Sequence, residues 1–558
     1  MTIRPMFSAT TRLLRKSEPR GRVGGHLPAG GRTAGPFFLL LMLCLMFAAE
    51  AASAQIYSDL YEFGGTPDGC CPQYPATLAQ GRDGNVYGIT STGGTSNLGI
   101  VFQITPAGSF KIIHSFDGPH GSTPIGGLVL GADGNLYGTT ELGGAHGFGN
   151  IFKITPVGVL TVLYDFTGNA DGGLPVAPLT LAANGIFYGT SYPGVAFQIS
   201  AGGVFKVINT IPTTTYGPLL QASDGNFYGV TEFGGTYTAG TVYKIAGKKV
   251  TTLYSFDGTH GSYPIGGLVQ GSDGYLYGTT TAGGSTNAGV IYKITTGGSL
   301  TVVVDFDNVH TLAGYQAYAG LVAGSDGNLY GATIWGGMFG DGVIFQLTVG
   351  GNYTVLYSFD AAHGDGAYST PFQHTNGEIF GMTKRGGTPG EGGVYSLDDG
   401  ITPFASLVST LGPVGKSVGI LGQGFSGVSS VEFNGTPASF HVVSDTYLTT
   451  TVPSGETGFV RVNLASGALL SRQIFKVTPK ITGISPTSGG VGDPVVITGT
   501  GLIQAEEITV DGKQVTAFTV NSDKQVTFAV PTGAKTGKVV LTTPGGKATS
   551  SAVFTVTP

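Results

Sequence analysis

From residue 55 onward, short runs of apolar and β-branched residues alternate with breaks of Gly, Asp and Asn, and no amphipathic stretch of helical period stands out. The clearest pattern is the phrase Asp83-Gly84-Asn85-Val86-Tyr87-Gly88-Ile89-Thr90, with counterparts starting at Asp133, Asn184, Asp224, Asp273, Asp326 and Asn376. Successive starts lie 50, 51, 40, 49, 53 and 50 residues apart. A β-type repeat with a period near 50 predicts one supersecondary unit used over and over, as in a closed propeller. One repeat shows the unit. Residues 125–131 form an apolar strand, and Asp133-Gly134-Asn135 supplies the turn. Residues 136–140 form a second strand, and the Gly143-Gly144 loop leads to a third at 150–155. A Pro156-Val157-Gly158 turn leads to a fourth at 160–166.

The ends of the array are offset. Seven sets of first-to-third strands occur, but the first fourth-type strand, residues 57–63, precedes all of them. It is expected to pair with the last blade and close the ring, which removes exposed edges. The expected fold is all-β: a seven-bladed β-propeller over residues 55–400, its N-terminal strand closing the last blade. The 40-residue step falls where Ser191-Tyr192-Pro193-Gly194 replaces the Gly-Gly loop. After Asp399 the grammar changes to alternating β-branched residues with frequent turns, once over residues 413–438 and again over 484–515. This predicts two Ig-like β-sandwiches, residues 401–478 and 479–558. The short Thr478-Pro479-Lys480 linker suggests a stiff stalk beneath the propeller.

The D-G-N-x-Y-G-x-T phrase, the Gly-Gly loops and the closing L-Y-S-F strand resemble the GloVer tandem repeats of bacterial surface and secreted proteins. More distantly, the repeat order is similar to that of streptogramin-lyase-like propellers, whose acid-base set of His and Glu has no counterpart that maps onto this chain. Ile484-Ser485-Pro486-Thr487-Ser488-Gly489 and the segments after it resemble IPT/TIG domains, and residues 413–438 follow the same pattern. That resemblance implies spacer or protein-contact modules at bacterial surfaces and no catalysis.

The N-terminus reads as targeting. Arg4, Arg12, Arg15, Lys16, Arg20, Arg22 and Arg32 precede an apolar run at 37–49, and Ala52-Ser53-Ala54 offers a cleavage site. Residues 1–54 are therefore expected to be a signal peptide cut after Ala54, which places the protein outside the cell, on its surface or in the periplasm, with no membrane insertion after cleavage. The chain ends in Phe554-Thr555-Val556-Thr557-Pro558, and no anchor is expected there. Losing the leader moves the formal charge from −6 to −11, which argues against a nucleic-acid partner or anionic lipid. Only Cys70 and Cys71 then remain. As neighbours they cannot staple distant segments, and no functional role is expected of them.

Candidate chemistry lies in the loops after the fourth strands. Asp117 and His120, Asp257 and His260, Asp307 and His310, and Asp360 and His363 repeat one spacing in four blades. Equivalent loops share a face, so these side chains are candidates for ligand binding around its mouth, holding sugar hydroxyls or a divalent cation. Copying of a turn-capping Asp with a packed His explains the same pattern without function. The recurrent Asp of each D-G-N phrase needs only an Asx-type turn, and the recurrent Tyr only packing between blades. Trp335, the sole tryptophan, stands beside Gly336-Gly337 and is a further candidate contact. No catalytic residue and no cofactor is assigned. The reading is an exported, non-catalytic binding or scaffold protein, used in adhesion or recognition of an extracellular glycan or protein. The competing reading is a propeller enzyme, a glycan lyase or hydrolase using the Asp/His loops.

Overall fold

The computed structural model describes residues 55–558 except 71, 73–75, 212, 214 and 310, so the leader, Cys71 and His310 lie outside the described residues. Cys70 is disulfide-bonded. The described chain is all-β, with helix confined to two single turns, Thr311–Ala313 and Phe425–Gly427.

Strand β1 (Ile56–Glu62) stands apart from the strands that follow it. Next come β2 (Ala79–Gln80), β3 (Val86–Thr90), β4 (Ile100–Ile104) and β5 (Phe110–Ser115), which pair in sequence order as an antiparallel meander. Among the described residues of 56–398, seven such four-stranded, blade-like sheets occur. Six are meanders. The last joins Phe372–Gln373, Ile379–Thr383 and Gly393–Asp398 to β1, which runs antiparallel with Ile56 opposite Asp398 and Glu62 opposite Gly393.

The second strand of each sheet is buried along its whole length. The Gly of Y-G-x-T explains how. Gly88 lies opposite Phe102, and a Cβ on Gly88 would come within 2.3 Å of the Phe102 ring. The same cross-strand pair recurs as Gly138 with Phe152, Gly189 with Phe197, Gly229 with Tyr243, Gly278 with Tyr292, Gly331 with Phe345 and Gly381 with Tyr395. The far end of each aromatic ring sits over bare backbone, where the two strands can pack tightly. The Asp of the phrase is spent locally. Asp83 accepts from the Asn85 backbone N–H at 3.2 Å and from the Tyr87 hydroxyl at 2.8 Å, and Asp133, Asp224, Asp273 and Asp326 repeat the Tyr contact. Burial raises the pKa of Asp224, but bonds from Asn226, Tyr228 and Lys244 outweigh it and hold the group at about 2.

Each sheet shares an apolar cluster with the next, and the last shares one with the first, where Phe63, Phe380, Met382 and Val394 pack against Leu78, Val86 and Phe102. Polar bonds cross the same seam. The Gln80 amide donates to Thr375 Oγ1 at 2.8 Å and its carbonyl accepts from the Thr375 N–H, while buried His374 contacts the Gly84 carbonyl through Nε2 at 2.9 Å. The short third repeat is a three-residue connection between Phe187–Ser191 and Val195–Ile199, closed by the Gly194 N–H on the Ser191 carbonyl.

After residue 400, two sandwiches follow, each a four-stranded sheet against a five-stranded one with its own apolar core. The first packs against one end of the ring, and Ser454 and Thr457 bond it to Asp523 and Gln504 of the second. Thr446 Oγ1 donates to the Arg82 carbonyl at 2.8 Å, and the Arg82 guanidinium lies 4.4 Å from the Tyr447 ring centre. Gln423 donates to Thr375 Oγ1, Arg472 to the Ala323 carbonyl and Lys476 to the Ser223 carbonyl. These side chains set how the first sandwich sits on the ring.

Two predictions follow from this packing. Gly331→Ala forces a methyl against Phe345 and should cost about 1–3 kcal/mol in urea unfolding, and Phe345→Leu in the same chain should recover part of that loss. Simple additivity of the two changes would exclude the pairing constraint. Gly84 and Gly225 share a left-handed φ, +77° and +81°, but a Cβ at Gly84 meets Thr446 at 2.7 Å whereas at Gly225 it meets nothing within 4 Å. Gly225→Ala should therefore cost only the backbone strain, about 1–2 kcal/mol. Gly84→Ala should cost more, and should raise hydrogen exchange across 444–447.

Candidate functional site

The meander fixes which connections share an end. In the first sheet, the turns at 81–85 and 105–109 lie at one end, and the loops at 91–99 and 116–127 at the other. The first sandwich occupies the turn end through Arg82, Ser223, Ala323 and Thr375. The loop end carries the residues singled out from the sequence.

There the Asp/His spacing builds a local clasp. The His120 N–H donates to Asp117 Oδ1 at 2.9 Å, and its ring Nδ1 lies 2.8 Å from Oδ2. His260 makes the same pair of contacts with Asp257, both at 2.9 Å, and His363 with Asp360, at 2.8 and 2.7 Å. Asp307 accepts from the Val309 N–H at 2.7 Å, and its sequence partner His310 is outside the described residues. The three described pairs close on themselves within their own loops, with half-exposed rings. Among the described residues, no three of His, Cys, Asp and Glu gather as a metal-holding group. Bonds from His120 hold the Asp117 carboxyl below the usual range. At Asp257 and Asp360 burial acts the other way, and the bonds from His260 and His363 overcome it. Trp335 is partly buried and pairs backbone to backbone with Tyr315, beside exposed Met338 and Phe339.

The structure adds residues that the repeat conceals. The position just after Y-G-x-T is Ser91, Glu141, Tyr192, Glu232, Thr281, Ile334 and Lys384 in turn. Burial raises the pKa of Glu141 and of Glu232. The Tyr216 phenol is raised by burial and then by the charges of Glu232 and Glu141, so carboxylates from two different sheets share one phenol's surroundings. Elsewhere at this end, the Tyr318 and Tyr368 rings lie 5.4 Å apart, and Lys384 Nζ sits 4.6 Å over the Tyr368 ring. Asp365 is raised by burial and by Asp341. Outward-facing aromatics are confined to the same end: Phe148, Tyr192, Phe233, Tyr237, Tyr263 and Phe339 are the exposed aromatics among the described residues of the ring, and all six sit in its loops. Rings beside half-buried carboxyls, phenols and an ammonium suit ligands that offer both apolar faces and hydroxyls. The sequence signal is the charge at three of seven equivalent positions in an otherwise charge-poor repeat.

Comparison with known proteins agrees with the sheet pattern. The family model described as the Gloeobacter/Verrucomicrobia repeat matches residues 46–205 and 214–424, and the IPT/TIG domain model matches 403–474 and 479–557. No curated protein matches the chain. Among solved structures, it is similar to the surface glycan-binding protein PbSGBP-B from Prevotella bryantii, at 19% identity over 28% of this chain and 39% of that one, with a TM-score of 0.21. It thus spans well under half of that protein's length. It is similar to a fungal alcohol oxidase of the AA5 family at 14% identity, over 73% of this chain and 98% of that one, with a TM-score of 0.43. It is also similar to the extracellular domain of the hybrid two component system BT3049 from B. thetaiotaomicron, at 11% identity over 84% and 62%, with a TM-score of 0.40.

The Asp360–His363 clasp carries a pH dependence. The hydrogen bond that His363 donates to Asp360 raises the His363 pKa above its usual value, aided by the charges of Asp360, Asp59 and Glu62. A raised folded-state pKa stabilises the protein fully below the unfolded value of about 6.5, and that contribution disappears as pH climbs through the folded value. The melting-temperature gap between wild type and His363→Gln should therefore be widest below about pH 6.5 and shrink above it. A gap that widens with rising pH would contradict the assignment.

Proposed function

The chain belongs to the Gloeobacter/Verrucomicrobia repeat family, and from that premise we propose that its seven sheets are the blades of one closed propeller, exported and used at its loop end to recognise an extracellular glycan or protein. The observation that carries this reading is the division of labour between the two ends. The first sandwich covers the turn end, and the exposed aromatics of the ring collect at the other. Exposed rings grouped on one surface mark a contact site. On this reading residues 55–400 are the recognition domain, and 401–478 and 479–558 are the two IPT/TIG modules. Asp117, His120, Asp257, His260, Asp307, His310, Asp360, His363 and Trp335 are ligand contacts of the same face, where a divalent cation would bridge clasp and sugar. Export follows from the basic and apolar leader, cut after Ala54, which sets the protein outside the cell or in the periplasm. Among the described residues no helix is long and apolar enough to cross a membrane.

A second reading draws on one specific observation. Glu141 and Glu232, raised by burial and sharing Tyr216, are the kind of carboxyl pair that a glycan lyase or hydrolase would use to give and take a proton.

The test is a glycan-array screen of the mature chain, residues 55–558, run with calcium, with zinc and with chelator. Recognition predicts specific signals that fall at least about tenfold when Phe233 and Tyr237 are both changed to Ala, with unchanged melting temperature. Signals that vanish with chelator and in His120→Ala would assign the clasps to a cation. Turnover of a bound glycan, abolished in Glu141→Gln, would favour the enzyme. Silence across the array together with undiminished capture of a protein partner by the Phe233/Tyr237 variant would remove the loop end from the function.

A further inference from the structure

The first sandwich does not seal the turn end completely. Between it and the innermost strands of five sheets lies a cavity of about 360 Å³. Its floor is aliphatic and aromatic, with Leu128, Leu181, Val322 and Phe372 from the ring and Leu407 from the sandwich. Arg472 supplies the only charged side chain on its wall, and no Asp or Glu lines it. Arg472 is partly buried, donates one hydrogen bond, from Nη1 to the Ala323 carbonyl at 3.0 Å, and has no ion-pair partner among the described residues. A guanidinium carries five N–H donors, so most of its capacity is left over. Burial lowers its pKa, with no carboxylate acting against that. A cation partly withdrawn from water, with no carboxylate beside it, gains from an anion brought into contact with it.

We propose that this cavity is a second ligand site, distinct from the loop end, that takes a small organic acid: an apolar body against the leucines and a carboxylate on Arg472. The lining decides the class. A bare inorganic anion would leave the aliphatic floor empty, and a polyhydroxylated sugar would bury hydroxyls against that floor, where Gln80, Gln373 and Thr375 are already bonded within the protein and the other polar residues, Ser406, Ser409, Thr410 and Gln473, all lie on the sandwich side. The site exists only in the assembled chain, because ring and sandwich each contribute one side of it. Its occupant would therefore hold the two together.

Octanoate and its neutral analogue octanamide separate charge from apolar bulk. In the mature chain at fixed ionic strength, millimolar octanoate should raise the melting temperature by about 2 °C or more, and octanamide should raise it distinctly less. In Arg472→Gln the two compounds should act alike. Should that variant fail to fold, phenylglyoxal labelling of the wild type reads the same contact, and octanoate should slow modification of Arg472 selectively among the arginines. Equal responses to the two compounds in the wild type, an octanoate preference that survives in Arg472→Gln, or labelling of Arg472 indifferent to octanoate would each overturn the proposal. None of these results depends on whether the loop end binds a glycan.

Discussion

The architecture rests on a cross-strand pair in which a glycine on the second strand of a sheet lies beneath an aromatic ring from the third. A side chain on the glycine would strike the ring, and a smaller residue in place of the ring would leave the backbone bare. Satisfied seven times from Gly88 with Phe102 to Gly381 with Tyr395, the pair makes the middle of each sheet thin and apolar on both faces. Thin sheets can stand side by side with one shared cluster between each two, and that packing replaces any disulfide framework. The Asp–Tyr bond at the turn end serves the same arrangement, since it gives the Tyr hydroxyl a partner while its ring fills the space between neighbouring sheets.

Features that repeat were legible in the sequence. The period, the four-strand unit, the displaced first strand and the Asx turns all appear in the letters, because each copy repeats the same local physics and the copies average out noise. The Asp and His of the clasps were equally visible, since spacing alone singles out Asp117 with His120 and Asp360 with His363. Their geometry was not, because spacing does not say whether a side chain reaches across the ring or bends back to its own loop. Features that break the repeat were missed for the complementary reason. Glu141, Glu232, Phe233 and Tyr237 occupy positions where their counterparts differ, and the grouping of the two carboxyls around Tyr216 needs the closed arrangement of sheets. The docking of the first sandwich depends on Thr446, Arg472 and Lys476, ordinary surface residues in any reading of a sandwich alone.

The two ends of the sheets therefore serve different purposes. At the turn end, tight connections of nearly uniform sequence give a flat surface rich in backbone carbonyls, and the sandwich reads those carbonyls with Thr, Arg and Lys donors. At the loop end, connections vary in length and composition while their bases stay fixed by paired strands. A scaffold that holds variable loops on rigid strands lets contact residues change without disturbing the core.

The first sandwich also straddles the seam. It holds Arg82 in the first sheet and Thr375 in the sheet that β1 completes, two points 293 residues apart in the chain that become neighbours only when the ring is closed. During synthesis β1 has no partner until Gly393–Asp398 exists, and the sandwich contacts to Arg82 and Thr375 come together only once the seam is formed. The same contacts oppose the reverse path. Because the sandwich bonds to both sides of the seam, its contacts add to those that must break before the seam can part. A protein assembled in this order persists because it is latched: a protease meets few open rings, and its lifetime is set by how rarely the latch lifts.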